Sequence, residues 1–295
     1  MTNSIIPLLD RLAERQAELS ATGNHLKRRL ESIRLTCFGL SITGAALAAV
    51  AGGLPSDAGR AGLTWTATGM LALGTFLTAR MLGQDAVAQH VTARMASEAL
   101  KREAFLYATG ADPYSESSTR DQLLADRIEA VEITTEGLAL QEQKAQGTGT
   151  CPRGFLDAAA YMTSRVDEQI AFYRKTADRL TLPSRLLHRA EFLLAGAAAV
   201  ITAVAATTAK GGFDLAALTA VITTVAGTVL AHGQAARYDA LIISYRITAR
   251  RLAHLKATQS PEAGAAEIAA AAEAIIAAET KSWQALWLKE ERPKA

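Results

Sequence analysis

The chain is short of the residues that most catalytic and metal sites require. Five of its 295 residues are histidine, and none stands in an HExxH pair or a Cys/His cluster of ligand spacing. No serine occupies a G-x-S-x-G turn. The glycine-rich stretch QGTGTCPRG lacks the Lys-Ser/Thr end of a phosphate-binding loop. We therefore expect no enzyme activity, no bound metal and no cofactor.

Three further features that the sequence lacks limit its possible fold class and cellular compartment. Lys and Arg number 31 against 29 Asp and Glu, so the chain lacks the concentrated basic charge that nucleic-acid binding needs. The two cysteines, Cys37 and Cys151, exclude a disulfide framework and favour a reduced compartment. No run alternates polar and apolar residues for long enough to indicate a strand. The sequence predicts an all-α fold without a nucleic-acid partner.

Four apolar runs stand out in a chain whose mean hydropathy is only +0.11. They cover about 35–54, 62–80, 191–209 and 215–234, and between 35 and 56, 61 and 79, and 215 and 236 they carry no formal charge. Since a helix needs roughly 20 apolar residues to cross a bilayer, we predict four transmembrane helices. The short polar stretches PSDAGR and KGGFD would make two hairpins of them. The runs are rich in Ala and Gly, which contribute little to insertion, so an Ala-rich buried bundle remains the alternative.

The basic residues beside the four runs predict an orientation. The tips hold only Arg60 and Lys210, whereas the other ends carry many cations. Those cations are Lys27, Arg28, Arg29, Arg34, Arg80, Arg185, Arg189, Arg237 and Arg246. The positive-inside rule then places both termini and the middle of the chain in the cytoplasm. Charged helical segments before and after each hairpin are predicted to form long cytoplasmic juxtamembrane helices.

The architecture repeats along the chain. We predict a first unit over residues 1–146, a linker over 147–154 and a second unit over 155–295, because each half holds one hairpin between charged helices. Gly110 indicates a helix end. Ser118 with Asp121 indicates a helix start, and so does Ser260 with Pro261.

Four local patterns resemble the SLATT superfamily, the SMODS and SLOG-associating two-transmembrane effector domains. The segment YMTSRVDEQIAFYRKTA places Tyr161, Arg165, Gln169 and Tyr173 four residues apart before a pair of runs. The segment YDALIISYRITARRL follows that pair, and Glu279 precedes Trp283 by four residues in the last helix. The segment LKREAFLYATGADPY after the first hairpin is similar to another branch of the superfamily. The chain thus resembles two unlike SLATT units in tandem.

This resemblance implies a function. Members are proposed to act as bacterial membrane effectors of conflict or antiphage systems, which oligomerise and form a pore or damage the inner membrane. A separate sensor, often a nucleotide-signalling protein, would supply the trigger, since no sensor domain is visible in the sequence. The expected partners are membrane lipid, further copies of the chain and that sensor. The alternative is a non-conducting membrane scaffold or sensor subunit whose helical bundle binds a cytoplasmic partner.

Three groups of residues are candidates for the functional site. Thr64, Thr68, Thr75, Thr219 and Thr223 recur on the faces of predicted spans. They would line a pore, or they would pack between helices with each hydroxyl bonded to its own backbone.

The second group lies near the predicted cytoplasmic mouth: Arg80, Glu191, His232 and Gln234. These residues would form a gating ring or serve as snorkelling anchors at the interface. The third group is the helix face Tyr161, Arg165, Gln169 and Tyr173 together with Glu279 and Trp283. That face would bind a ligand or partner, or it would pack against a neighbouring juxtamembrane helix with Arg165 paired to an acid.

Overall fold

The computed structural model describes residues 6–140, 151–207, 215–260 and 262–288, and it confirms the all-α prediction over those ranges, which contain no strand. The helices are α1 (Pro7–Gly52), α2 (Asp57–Met81), α3 (Gln84–Thr109), α4 (Arg120–Thr134), α5 (Ala158–Tyr161), α6 (Glu168–Thr207), α7 (Leu215–Ala236), α8 (Tyr238–Thr258) and α9 (Ala265–Leu288). A π-helical segment, Met162–Asp167, joins α5 to α6. The predicted tip around 210–214 and linker residues 147–150 lie outside the described residues.

Two of the helices are much longer than a membrane is thick. Helix α1 has 46 residues, about 70 Å at 1.5 Å per residue, whereas the hydrocarbon core measures about 30 Å. Its first half is charged and its second half is the first apolar run. Helix α6 has 40 residues and the same order. In both cases the predicted juxtamembrane helix and the apolar run are therefore one continuous helix.

The described residues form two compact units. The bundle unit comprises the described parts of Met1–Arg28, Asp85–Asp178 and Leu241–Ala295, and the apolar unit comprises those of Arg29–Gln84 and Arg179–Ala240. Each unit takes residues from both sides of the predicted linker. The division of the chain at 147–154 stays a prediction.

The bundle unit has an aliphatic and aromatic core. Fully buried side chains come from α1, α3, α4 and α5: Leu9, Leu12, Leu19, Leu100, Leu106, Leu124, Ile128 and Tyr161. Burying each such side chain contributes about 1.5–3 kcal/mol. The described end of the predicted linker and the segment after it are tied into this core. The Ile6 N–H donates to the Arg153 carbonyl at 3.0 Å, and the Leu156 N–H donates to the Ala108 carbonyl at 2.8 Å.

Helix ends in the bundle unit confirm one boundary prediction and correct two. Gly110 ends α3 with φ +66°, a conformation that glycine adopts without strain. Helix α4 starts one residue later than predicted, with Thr119 as N-cap and no side-chain cap bond. Asp121, the expected second member of the capping box, accepts the Tyr107 hydroxyl at 2.5 Å. Ser260 accepts the N–H of Glu262, yet α9 begins only at Ala265.

The apolar unit exposes large hydrophobic side chains. They include Trp65, 76% exposed, and Phe192, 79% exposed. Two described stretches, Pro7–Gly52 and Ala158–Val204, are long and apolar enough to cross a membrane. Such helices also form the cores of soluble proteins, but there they are mostly buried. Here the most apolar stretches are 22% and 0% buried, which fits contact with lipid better.

Small residues set the packing of α2 against α1 in the apolar unit. A Cβ on Gly44 would lie 3.0 Å from the Leu71 side chain, and one on Gly74 would lie 3.6 Å from Leu40. Ala45 and Ala67 are buried. Close approach through Gly and Ala is the usual way that helices associate without a hydrophobic driving force.

Candidate functional site

The π-helical segment Met162–Asp167 directs two candidate residues toward α9. One-turn π segments are rare and often occur at functional positions, because they change the register of one helix face. Arg165 lies inside the segment and Tyr161 immediately before it. Both side chains are buried, and both reach the same carboxylate on α9, that of Glu273.

Arg165 and Glu273 form a bidentate pair in the bundle unit. Arg165 donates from Nε to Oε1 at 2.7 Å and from Nη2 to Oε2 at 2.9 Å, and Tyr161 donates to Oε1 at 3.2 Å. Both charged side chains are 1% exposed. Burial opposes the charge on Arg165, but the nearby carboxylate of Glu273 outweighs it, and the pKa of Arg165 is raised. Arg165 therefore keeps its charge although it is buried.

The guanidinium of Arg165 also contacts an aromatic ring. Its guanidinium carbon lies 4.7 Å from the centre of the Phe105 ring, a cation–π contact. Its Nη1 atom is buried and has no hydrogen-bond partner among the described residues. Leaving this buried donor without a partner costs free energy. The bidentate pair with Glu273 offsets that cost and stabilises the cation in the core.

A second buried carboxyl lies on the same helix, at Glu279. It accepts the Tyr173 hydroxyl through Oε2 at 3.3 Å, and its Oε1 has no hydrogen-bond partner in the described part of the chain. Burial raises the pKa of Glu279 to about 7; Arg94 lowers it and Glu98 raises it. This group therefore titrates close to neutral pH.

Trp283 completes the contacts of α9 with earlier helices. Its ring lies 5.7 Å from that of His90 and 5.9 Å from that of Trp287. The Arg94 guanidinium stacks over it at 4.7 Å. Two members of the third candidate group, Glu279 and Trp283, thus lie on α9. Three others contact that helix: Tyr161, Arg165 and Tyr173. Gln169 is half-buried and takes no part in these contacts.

Sequence reasoning missed Glu273, the acid that pairs with Arg165. The available signal was the middle glutamate of the stretch EIAAAAEAIIAAE, which has five apolar residues on each side, since a charge enclosed by an apolar helix segment indicates a buried partner. Lys101 and Cys151 were also missed. Burial lowers the pKa of Lys101, with Arg165 adding to the effect. Burial raises the pKa of Cys151 to about 11, so this thiol is not a reactive thiolate at neutral pH.

The apolar unit contains a cavity of about 200 Å³ between α6, the end of α7 and the start of α8. It is lined by Ser184, Leu187, His188, Glu191, Leu230, Gly233, Gln234, Arg237, Tyr238, Asp239 and Ala240. Asp239 accepts the Ser184 hydroxyl at 2.6 Å and lies 3.2 Å from Nε2 of His188. Arg237, at the junction of α7 and α8, has φ +53°.

The predicted mouth residues separate in the structure. Glu191 and Gln234 both line the cavity, whereas Arg80 and His232 do not. The His232 ring instead lies 4.7 Å from that of Phe38. The structure thus brings two of the four residues to one site. Within the described ranges, no three His, Cys, Asp or Glu side chains form a set that could hold a metal ion.

The threonine hydroxyls bond within their own helices. Thr64 donates to the Arg60 carbonyl and Thr75 to the Leu71 carbonyl, each at 2.9 Å. Thr68 donates to Thr64, and Thr223 donates to the carbonyl of half-buried Thr219, again at 2.9 Å. This bonding suits helix packing, and it also leaves an acceptor lone pair on each exposed hydroxyl. A pore-lining role for these residues stays a prediction.

Comparison with known families gives two matches. Residues 161–283 match the model for SMODS and SLOG-associating 2TM effector domain 1. The second half of the chain is SLATT-like. Residues 17–122 match a model described as a protein of unknown function, DUF4231, so the SLATT match covers only the second of the two expected units. Neither a curated protein nor a solved structure matches the chain.

The SLATT match coincides with the contacts around α9. It begins at Tyr161 and ends at Trp283, and it contains Arg165, Glu273 and the third and fourth apolar runs. Both halves of the buried ion pair therefore belong to the matched region. A match to this family implies a membrane effector of conflict systems, and together with the two apolar helices it indicates membrane localisation.

Proposed function

We propose that the protein is an oligomeric effector of the bacterial inner membrane, which opens a pore or otherwise perturbs the bilayer when a trigger acts on its cytoplasmic helices. The SLATT match over residues 161–283 carries this proposal. The exposed hydrophobic side chains of the apolar unit support it. In the proposed arrangement the four apolar runs are transmembrane helices in two hairpins, and both termini are cytoplasmic.

Helix α6 provides a route from the bundle unit to the membrane. Tyr173, in the first part of α6, bonds Glu279 on α9, and the same helix continues without interruption into the third apolar run. In this proposal, a displacement at the α9 contacts reaches the third apolar run through α6. Pro183 lies inside α6 and removes the backbone hydrogen bond to residue 179, so the helix is locally weakened between these parts.

The trigger in this proposal is a separate sensor or nucleotide-signalling protein that contacts the bundle unit. The other partners are membrane lipid and further copies of the chain. Catalysis and nucleic-acid binding have no part in the proposed activity, and no cofactor or metal is needed. Pore formation requires only that helices rearrange and admit water.

The first experiment measures the location, the oligomeric mass and the conductance of the protein. The protein is extracted from membranes in mild detergent, its oligomeric mass is determined, and it is reconstituted in liposomes loaded with a small dye. We expect a discrete oligomer that releases dye, directly or once the trigger is present. Thr68→Val and Thr223→Val should change release if these hydroxyls line the path, whereas Thr134→Val, at the end of α4 and outside the predicted spans, should not. Recovery of the protein in the soluble fraction after ultracentrifugation without detergent would overturn the proposal.

A non-conducting scaffold is the second candidate function. Residues 35–54, 62–79, 192–207 and 215–231 contain no Asp, Glu, Lys or Arg, whereas ion pathways are commonly marked by intramembrane charges. A scaffold would purify with a stoichiometric cytoplasmic partner, and liposomes holding the complex would retain their dye. Dye release in the presence of that partner would exclude this alternative.

A further inference from the structure

The cavity in the apolar unit lies where charged and apolar parts of the chain meet. On α6 the stretch beside it carries Arg185, His188 and Arg189 among leucines, and the third apolar run begins at Glu191. On the other side, α7 ends and Arg237 and Asp239 follow. The inference below rests on the proposed membrane function, since that function places this boundary at the level of the lipid headgroups.

The cavity wall holds charges of both signs. Asp239 is already engaged by Ser184 and His188. Glu191 is not: its carboxylate makes no hydrogen bond or ion pair within the described residues. The carboxylate lies close to the backbone of α7, because a Cβ on Gly233 would be 3.3 Å from Oε1 of Glu191. A half-buried carboxylate in this position favours a cationic group from outside the chain.

The cationic and apolar residues of the cavity wall indicate which other chemical groups the ligand carries. Arg237 lines the same cavity as Glu191, and a guanidinium binds phosphate oxygens in bidentate fashion. Leu187 and Leu230 supply an apolar wall. The volume of about 200 Å³ equals that of about seven water molecules, which suits a small headgroup and is below the usual range of drug-sized ligand pockets.

We propose that the cavity binds the headgroup of a primary-amine phospholipid, with the ammonium on Glu191 and the phosphate on Arg237. An ammonium donates three hydrogen bonds, whereas the trimethylammonium of choline donates none and is bulkier. The two ends of the headgroup therefore match the two signs of charge in the wall, and the acyl chains continue along the apolar surface.

The test measures lipid retention by the purified full-length protein. The protein is delipidated in mild detergent and mixed with phosphatidylethanolamine, phosphatidylcholine or phosphatidylglycerol, and bound lipid is counted by native mass spectrometry. We expect the protein to retain about ten times more phosphatidylethanolamine than phosphatidylcholine, because one charge-assisted hydrogen bond changes affinity by about that factor. Equal retention of the three lipids would overturn the proposal.

Two variants separate the two contacts. Glu191→Gln keeps the shape of the side chain, and we expect it to abolish the preference for phosphatidylethanolamine over phosphatidylcholine. Arg237→Asn removes the cation, and Asn tolerates the positive φ of this position; it should lower retention of both lipids. Asp57→Asn, which neutralises an exposed carboxylate away from the cavity, should behave as wild type. A wild-type preference in Glu191→Gln would overturn the assignment of the ammonium.

One further arm identifies the source of the ligand. Soluble glycerophosphoethanolamine should compete poorly because it lacks acyl chains, and competition at the concentration of the lipid itself would overturn the lipid assignment. The proposed function and this inference fail differently. A chain that stays soluble without detergent contradicts the former, whereas a membrane-inserted chain without headgroup preference contradicts only the latter.

Discussion

The guanidinium of Arg165 meets the carboxylate of Glu273 in two parallel hydrogen bonds, across 108 residues of sequence and with almost no exposure to solvent. The pair joins the π-helical segment before α6 to α9. Its geometry compensates much of the desolvation of two charges, but only while both partners are present. The contacts around α9 are therefore sensitive to any single change at either residue.

Removal of one member of the buried pair should destabilise the bundle unit strongly. We expect Glu273→Gln to lower the free energy of unfolding by about 3–5 kcal/mol, because it leaves the Arg165 charge buried and uncompensated. Glu132→Gln is the matched control. It breaks the Arg11–Glu132 pair, whose side chains are 64% and 34% exposed, and should cost less than about 1 kcal/mol. Denaturant titration in detergent compares the two, and equal effects would contradict the prediction.

An apolar replacement of both members should recover stability. We expect the double variant Arg165→Met with Glu273→Leu to be more stable than either single variant, since no charge is then left in the core. The double-mutant cycle also measures the coupling between the two positions. Additive losses would show that the two side chains do not interact.

Glu279 should make the stability of the bundle unit depend on pH near neutrality. Its pKa is raised from 4.5 to about 7 in the folded protein, so the folded state binds the proton more tightly than the unfolded state. Stability from this group is full below about pH 4.5 and is lost as the pH rises to about 7. We expect Glu279→Gln to remove this dependence and to raise stability at pH 8 by about 3 kcal/mol.

The measurement is the free energy of unfolding at pH 5 and pH 8. Glu262→Gln serves as control, because Glu262 is exposed and its loss should not alter the pH profile. An unchanged profile in Glu279→Gln would show that this carboxyl does not take up the proton.

A charge placed in the third apolar run should impair membrane insertion. Val200 is 63% exposed in the apolar unit, and Ile133 is 67% exposed in the bundle unit. We expect Val200→Arg to reduce the fraction of protein that resists carbonate extraction, since an Arg near the centre of a span costs about 2.5–3.5 kcal/mol. Ile133→Arg makes the same change outside the predicted spans and should have no effect. Similar behaviour of both variants would contradict the lipid-facing assignment of Val200.

Gly110 should be intolerant of a side chain. Its φ of +66° is costly for any L-residue, and Gly110→Ala should lower stability by about 1 kcal/mol. At Gly137 a Cβ meets nothing within 4 Å and φ is not positive. Gly137→Ala should therefore be neutral or slightly stabilising. Thermal unfolding of the two variants distinguishes a conformational effect from a general effect of added volume.

Local chemistry decided which features the sequence could predict. Gly110 was identifiable as a helix end because the left-handed conformation there depends on one residue. The start of α4 was misplaced by one residue, and the bond of Asp121 with Tyr107, fourteen residues earlier, is a long-range contact that a capping pattern does not show. Strands were excluded correctly over the described ranges, since the periodicity of the whole chain bears on that question.

Contacts between residues far apart in the chain could not be predicted from the sequence. The pattern at Tyr161, Arg165 and Tyr173 left two interpretations open, a binding face or a packed face with an acid beside Arg165, and nothing in one sequence indicated that Glu273 would be that acid. The π-helical segment was equally hidden, because such segments are rare and residues four apart, as at Tyr161 and Arg165, fit an ordinary α-helix. The cavity beside Glu191 depends on how α6, α7 and α8 approach one another, which helix periodicity does not specify.

The interleaving of the two halves bears on how the chain can be made and divided. Ile6 bonds Arg153, Phe105 packs on Tyr161, and Phe38 packs on His232, so each compact unit is completed by residues from both halves. A chain cleaved between residues 141 and 150 would yield two fragments with incomplete cores. The two fragments could not replace each other. Each compact unit would be complete only after both fragments had been synthesised and had associated.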